Sequence, residues 1–509
     1  MGVMGAPGSG NTPFDYEISV SLVINPRENI GIDITQAELF MEIYEHMEKP
    51  YLTGRIMFID NTNLYESINF MGTESIAISI TFPNNDNSFG SILPYEKVFN
   101  ITKIEQQQKA NDNVSVITMQ IVENSFFFAK TKMLNKSYEG KPNEIIATAL
   151  NDTYENFSRT LEKVSEEVQE PFRFITPHWS VMKLINHLLP MCTSEDGMPF
   201  YAFSNLGNPE TITWGHLGDF MNQGANSVAE GYNSPREFIY SVMASQTMDD
   251  EIDRLVDNTL TDDNIDPSIR ASLNRRKVEK KVRVQETGKI IQRVQQLNSY
   301  DLLKQIERGH IGSEYYFMNI NSADDKPFRF SQADAVSRLS KYFPPSQTKS
   351  IFDDESFNLT EKRSRQFTMN YASNIYTNDF ANGQDLEIQN DPIRRTIASS
   401  LRSMMAMGAI QVTLPGFHFF KKGVNSGNFG NRGTAAGRNI YLKFLNNDFE
   451  QISKEGVNLD DAIDKKNSGS YLIYSCRHIF DGPKYTVDAN CVKFSELRTD
   501  ALTNTEGSF

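Results

Sequence analysis

The chain is 509 residues long, past the size at which one hydrophobic core keeps growing, so roughly 3–4 structural units are expected. Hydrophobic residues make up 39% and charged residues 23%, ordinary for a soluble globular protein, and no apolar run approaches the ~18–20 residues that cross a bilayer. The formal net charge of −15 excludes a chain that grips duplex DNA with a basic face over its whole surface.

Residues 1–14 are rich in Gly, Ser and Pro and read as a flexible tail. They lack the basic patch and apolar core of a secretory signal, and Ala6 replaces the small hydroxyl residue of a myristoylation signal. From Asp15 the hydrophobic period becomes two, with β-branched and aromatic residues, as in Tyr16-Glu17-Ile18-Ser19-Val20-Ser21-Leu22 and Arg55-Ile56-Met57-Phe58-Ile59-Asp60. Asn25-Pro26, Pro83 to Asn87 and Asn111-Asp112-Asn113 supply the turns, so residues 15–123 are expected to form a first antiparallel β-barrel.

After Glu123 the pattern changes. Lys141-Pro142-Asn143-Glu144 leads into a helical stripe from Ile145 to Leu150, and Pro177-His178-Trp179-Ser180 leads into another from Val181 to Leu189. Phe172 to Ile175 is extended, and Phe200 to Phe203 turns through Gly207-Asn208-Pro209 into Thr211 to Trp214 as a hairpin. Residues 124–234 therefore read as an α/β connecting domain.

Strand character resumes at Phe238 to Met243, which assigns residues 235–246, together with 367–497, to a second β-barrel. Residues 247–366 read as an inserted domain of mixed character, in which acidic Asp249 to Asp266 gives way to basic Arg275 to Arg293. A solvated, internally paired face is the simpler account of that basic stretch, and a docking patch the alternative. Further on, Asp391 caps a helix beginning at Pro392, with Ile393, Ile397, Leu401, Met404 and Met405 on one stripe and Gly408 at its exit. Strands follow at 410–414, 439–444 and 471–480, and residues 498–509 are a second tail. The two β regions close alike: Val98 to Ile104 and Val114 to Gln120 flank a polar turn, as Ile473 to Ile479 and Tyr485 to Phe494 flank Asp481-Gly482-Pro483. An internal duplication accounts for both, and two generic hairpins that merely look alike are the alternative.

Motifs of catalysis are scarce. Gly5 to Thr12 has the glycine spacing of a phosphate loop, yet Asn11 stands where the phosphate-binding lysine belongs, with no strand before it and no helix after it. The histidines at 46, 178, 187, 216, 310, 418 and 478 form no His-Glu-x-x-His and no helical pair, so no metal motif exists, and His178 reads as a packing or capping residue. Cys192, Cys476 and Cys491 lack Cys-x-x-Cys spacing. Cys476 and Cys491 could meet across a hairpin, but buried free thiols in a chain made in a reducing cytosol are the simpler reading. There is no Gly-x-Ser-x-Gly elbow and no protease-like cysteine context. No catalytic, cofactor-binding or metal-ligating residue is therefore expected, and neither is enzymatic activity.

Three stretches carry a resemblance. They are Leu52-Thr53-Gly54-Arg55-Ile56-Met57-Phe58-Ile59-Asp60 with Leu64 to Ile68 and Met71-Gly72-Thr73-Glu74-Ser75-Ile76, then Phe174-Ile175-Thr176-Pro177-His178-Trp179-Ser180, then the closing hairpin Tyr471 to Phe494. In this order the chain resembles the baseplate central hub proteins of contractile-tailed (myovirus-type) bacteriophages, related to the N-terminal region of type VI secretion spike proteins. The resemblance implies a mainly β fold with α+β parts, in which two similar β-barrel tube domains are joined by an α/β domain. It further implies a homotrimer forming a pseudo-six-fold ring that connects the tail tube to the central spike and lets DNA through without specific binding. The implied partners are the central spike protein, the tail tube or tube-initiator protein, baseplate wedge proteins and, as a further candidate, the tape measure protein. The implied location is the virion, in the tail baseplate, after assembly in the host bacterial cytoplasm. Three chains carry 3 × (−15) = −45 formally, from which an acidic lumen is expected. The alternatives are a type VI spike-like or receptor-binding tail protein, or a hub carrying a cell-wall hydrolase as its insertion.

Overall fold

The computed structural model describes most of residues 16–222 and 409–496, with gaps, and between them only 236–240, 290–296, 313–318, 328–331, 365–370 and six helical positions within 394–402. The phosphate-loop mimic at Gly5 to Thr12 and the charged runs from Asp249 to Arg283 lie outside the described residues.

The fold is mostly antiparallel β with α+β parts. In the first unit, β1 (Glu17–Asn25), β2 (Ile30–Asp33), β3 (Phe40–His46), β4 (Thr53–Asp60), β5 (Ser75–Thr81), β6 (Tyr95–Asn111) and β7 (Val114–Glu123) lie in the order β3-β4-β7-β6-β5-β1-β2. Every neighbouring pair is antiparallel. The period-two pattern does what it predicts: in β4, Gly54, Ile56, Phe58 and Asp60 are buried while Arg55, Met57 and Ile59 turn outward. Asp60 ends the strand, because its Oδ1 accepts from the amides of Thr62 (3.1 Å) and Leu64 (3.0 Å) and folds the chain back.

The connecting region opens with α1 (Asn124–Thr131), directly after β7 and with no side-chain cap at its start. No sequence pattern marks it, because the run Phe126-Phe127-Phe128 has no helical period and leaves two of its three rings exposed. Then come β8 (Met133–Leu134), β9 (Ser137–Gly140), α2 (Pro142–Thr153), β10 (Thr160–Lys163), β11 (Phe172–Ile175), β12 (Trp179–Ser180), α3 (Val181–Leu188), β13 (Phe200–Asn205), β14 (Asn208–His216) and α4 (Leu217–Asn222). Ser180 caps α3 by accepting from the Lys183 amide at 3.3 Å, and Val181, Met182, Leu184, Ile185 and Leu188 bury one stripe. That stripe shares a core with Ile145, Ile146, Ala149 and Leu150 of α2 and with Trp214 of β14. The expected hairpin is β13 against β14, and β10 adds to it in parallel as a third strand.

The second unit contains β15 (Arg236–Tyr240), β16 (Ile290–Ile291) and β17 (Arg293–Gln296). Next, β18 (Ser313–Met318), β19 (Phe328–Ser331) and β20 (Arg365–Asn370) form a separate three-stranded sheet. The unit is completed by β21 (Ala409–Pro415), β22 (Asn439–Phe444), β23 (Gly469–Asp481) and β24 (Lys484–Glu496). Its strands lie in the order β17-β21-β24-β23-β22-β15-β16. Ranked by position in the chain, this is the permutation of the first unit: third, fourth, seventh, sixth, fifth, first, second. The likeness of the closing hairpins thus extends to the strand order of all seven strands in each half. One difference is that β15 runs parallel to both neighbours, whereas β1 runs antiparallel to both of its own.

Residues 290–296 sit inside the span read as an insertion, yet they pair into the main sheet. Conversely β20, read in part as barrel, pairs with β18. Of the helix expected after Asp391, positions 394, 395, 397, 398, 401 and 402 are helical, with Ile397 and Leu401 buried. Among the described residues no ladder joins β2 to β3 or β16 to β17, so each half is seen as a seven-stranded sheet.

Candidate functional site

The two units meet where β3 pairs antiparallel with β23, from His46 opposite Ser475 to Phe40 opposite Asp481. Space for β3 exists because β22 covers only Gly469 to Leu472 on that side of β23. Fourteen strands thereby become one sheet, and the buried residues of both halves form one core, with Ile43, Ile56 and Met119 in the same cluster as Val412, Ile473 and Val487.

The outward face of the seam is a cross-strand polar ladder. Arg477 of β23 donates from Nη1 to Glu42 of β3 (3.1 Å) and from Nη2 to Asp488 of β24 (2.6 Å). Asp488 also accepts from the Thr413 hydroxyl of β21 at 2.6 Å, and Tyr44 donates to Glu42 at 2.5 Å. Opposite Glu42, Arg55 of β4 pairs with Glu105 of β6 at 2.8 Å. Burial would lower the Arg477 pKa, but Asp488 and Glu42 outweigh it and raise it. Burial, then the hydrogen bond to Glu42, pushes Tyr44 up to about 12. With two acids around one guanidinium, the bonds are charge-assisted and shared across three strands.

The inward face is different in kind. Glu45, fully buried, accepts from the Leu206 amide at 2.5 Å and the Ala436 amide at 2.8 Å, one from the connecting domain and one from the second unit. His478 Nε2 lies 3.2 Å from its Oε1, and Cys476 Sγ 3.6 Å from its Oε2. His478 Nδ1 meets Tyr485 Oη at 2.8 Å. Desolvation alone would raise the Glu45 pKa, yet His478 and the two amides hold it below the ordinary carboxylate value. An isolated buried carboxylate would cost several kcal/mol, so this convergence of partners is what lets Glu45 sit in the core. Burial, then Glu45, pushes the Cys476 thiol well up, which makes it a poor nucleophile. Around the cluster, Tyr485 stacks on Phe480 at 4.4 Å, and Tyr16, just before β1, meets both rings and donates to Gly482 O at 2.6 Å.

The connecting domain braces the same seam. Ser204 donates to Pro50 O at 3.0 Å, Tyr201 and His46 both meet the Tyr474 ring edge-on, and Arg402 lies over Tyr201.

Residues weighed from the sequence fall elsewhere or in packing roles. Exposed His178 takes a left-handed φ of 55° just before Trp179, whose ring meets His187 and Lys183, while Ser180 is the cap. His216 pairs with Asp219, and all three cysteines are buried free thiols. Sequence reasoning missed the Glu45, Cys476 and His478 group. The Cys-x-His spacing in an alternating strand puts both side chains on one face, but nothing in the sequence ties them to a glutamate 431 positions away.

Neither a protein-family model nor a curated protein matches the chain. Solved structures similar to it include a tail protein from Neisseria meningitidis MC58, at 9% identity and a TM-score of 0.45 over 94% of this chain and 96% of that one. Another is the 43 kDa tail protein of prophage MuSo2 from Shewanella oneidensis, at 8% identity and a TM-score of 0.40 over 93% and 97%. A third is an E. coli protein described as a type VI secretion component similar to the T4 bacteriophage tail proteins gp27 and gp5, at 9% identity and a TM-score of 0.34 over 90% and 73%.

Proposed function

We propose that the chain is a non-enzymatic structural hub of a contractile phage tail, two barrel-like tube domains per chain, closing as a trimer into a pseudo-six-fold ring between tail tube and spike. The observation that carries this is the repeated strand order together with the seam. In the seam, the first edge strand of one half, β3, pairs with the overhanging end of the hairpin strand of the other, β23. The counterparts are β17 and β6. Among the described residues, beyond Ile101, whose amide donates to Glu74 O, β6 is laddered only to β7 as far as Asn111, and β17 only to β21. A strand edge outside a ladder is a template for another chain. Docking β17 of one chain on β6 of the next repeats the internal junction between chains, and a head-to-tail contact that closes makes a ring.

The outward ladder is charge-paired rather than acidic, since Arg55, Arg477, Lys103 and Arg293 share it with Glu42, Glu105 and Asp488. Facing a channel, such a surface mixes signs, four cations among three acids, and offers DNA no continuous basic track to adhere to, in place of the acidic lumen expected from net charge. On this reading the protein sits in the virion baseplate, assembled in the host cytoplasm, with spike, tube, wedge and tape measure proteins as partners. Among the described residues no helix is long and apolar enough to cross a membrane.

Native mass spectrometry of the full chain tests the closure. A trimer is expected, and proline at Gln107 or at Gln108 should reduce it to monomer in one of the two variants, because consecutive strand amides alternate between edges. A wild-type chain that stays monomeric at high concentration overturns closure by the chain alone.

A further inference from the structure

The geometry points to a zinc-type metal site at the inward face of the seam, with Glu45, Cys476 and His478 as ligands and the ion as a staple between the two units. We infer it from donor type, spacing and supporting bonds together. The donors lie close together: His478 Nε2 is 3.2 Å from Glu45 Oε1 and 3.5 Å from Cys476 Sγ, Cys476 Sγ is 3.6 Å from the other carboxylate oxygen, Oε2, and one ligand atom from each residue lies within 4.8 Å of the other two. Zinc bonds of about 2.3 Å to sulfur and about 2.0–2.1 Å to nitrogen or oxygen, set at tetrahedral angles, place ligand atoms about 3.3–3.6 Å apart. The donor separations of 3.2, 3.5 and 3.6 Å are of that size, so a small shift of the carboxylate would let one of its oxygens complete a tetrahedral face.

Donor chemistry narrows the choice of ion. A thiolate, an imidazole and a carboxylate suit a borderline-soft ion such as Zn²⁺, whereas Mg²⁺ and Ca²⁺ want oxygen alone. Charge closes as well: one carboxylate and one thiolate neutralise one divalent ion, leaving His478 neutral and no net charge in the core.

Metal ligands need partners that hold them in place, and here the imidazole and the carboxylate each have theirs. Tyr485 Oη lies 2.8 Å from Nδ1 of His478, so Nδ1–H donating there leaves the Nε2 lone pair toward the other two ligands. The Leu206 and Ala436 amides fix the Glu45 carboxylate while leaving each oxygen a lone pair. Cys476 is set on the same strand face as His478, and β3 brings Glu45 opposite Cys476 in register. All three ligands are buried, so the ion must be taken up as the halves come together during folding. The competing arrangement is a proton between Glu45 and His478, in which Cys476 stays a thiol donating to Glu45 Oε2 and holds no ion.

The full chain, purified without chelator from cells grown with zinc, should hold about one zinc per chain by inductively coupled plasma mass spectrometry. Cys476→Ser and His478→Ala should lower this about tenfold or more, and Cys192→Ser should leave it unchanged. The wild-type chain refolded with Co²⁺ should show a thiolate-to-cobalt charge-transfer band, a reading that needs no variant to fold. Zinc far below stoichiometry in the wild type, zinc retained in Cys476→Ser, or bound cobalt without that band would each overturn the site.

Discussion

Gly54 joins the sequence motif to the seam, and substituting it by alanine is the sharpest test of how β3 is held. Glycine inside a strand ordinarily costs about 0.5–1 kcal/mol relative to alanine, so Gly54→Ala would stabilise the protein if space were free. Space is not free. A Cβ at this position would lie 2.7 Å from the backbone oxygen of Glu42 and 3.0 and 3.1 Å from the side chain of Ile121. Ile121 can rotate a little, but Glu42 O belongs to β3, whose next residues pair with β23, so relief requires moving the strand that carries Glu42 and Glu45. Overpacking of this kind costs about 1–3 kcal/mol, which exceeds the conformational gain and leaves a net loss of roughly 0.5–2 kcal/mol. The assay is urea unfolding of the full chain, with Gly31→Ala as control, where the nearest atom to a new Cβ is 3.7 Å away. Gly31→Ala should be neutral or slightly stabilising, and Gly54→Ala should lower the midpoint. If Gly54→Ala is at least as stable as the wild type, β3 is not held as tightly as described and the reasoning fails.

Glu123 is the second pressure point. Fully buried at the end of β7, it accepts from the Leu52 amide (2.8 Å) and the Ser125 hydroxyl (2.7 Å) and pairs with Lys97 at 2.5 Å. Glu123→Gln should cost about 3–5 kcal/mol in chemical denaturation because the Lys97 charge loses its counter-ion, and adding Lys97→Met should recover part of it. Alkaline pH should unfold the chain through its tyrosines. Burial first of all raises the pKa values of Tyr16, Tyr44, Tyr201, Tyr471 and Tyr474, with Tyr44 at about 12. Since the folded pKa lies above the unfolded value of ~10, this stability is whole below pH ~10 and is lost as pH rises through the folded values. Tyrosinate absorbance and circular dichroism should therefore change together, and ionisation of these tyrosines with the fold intact would contradict their burial.

The sequence by itself determined what is local. Period-two alternation marked β1, β4, β7, β23 and β24, because a strand with one buried face writes its orientation into every second residue. The apolar stripe and Ser180 marked α3 in the same way, and two like hairpins pointed to the repeated strand order. Asp60 and Gly54 were legible as motif residues, though not for the reasons they matter, an Asx turn and a close strand approach. Only the tertiary structure decided which strands are neighbours. The β3 to β23 register joins residues more than 400 positions apart, and an edge that is paired reads like one that is free, since backbone amides carry no side-chain signature. The same holds for Glu45. In the sequence it is one of 65 carboxylates, and its burial beside Cys476 and His478 exists because two strand faces were brought into register. Periodicity fixes which way a side chain points, and long-range pairing fixes what it meets.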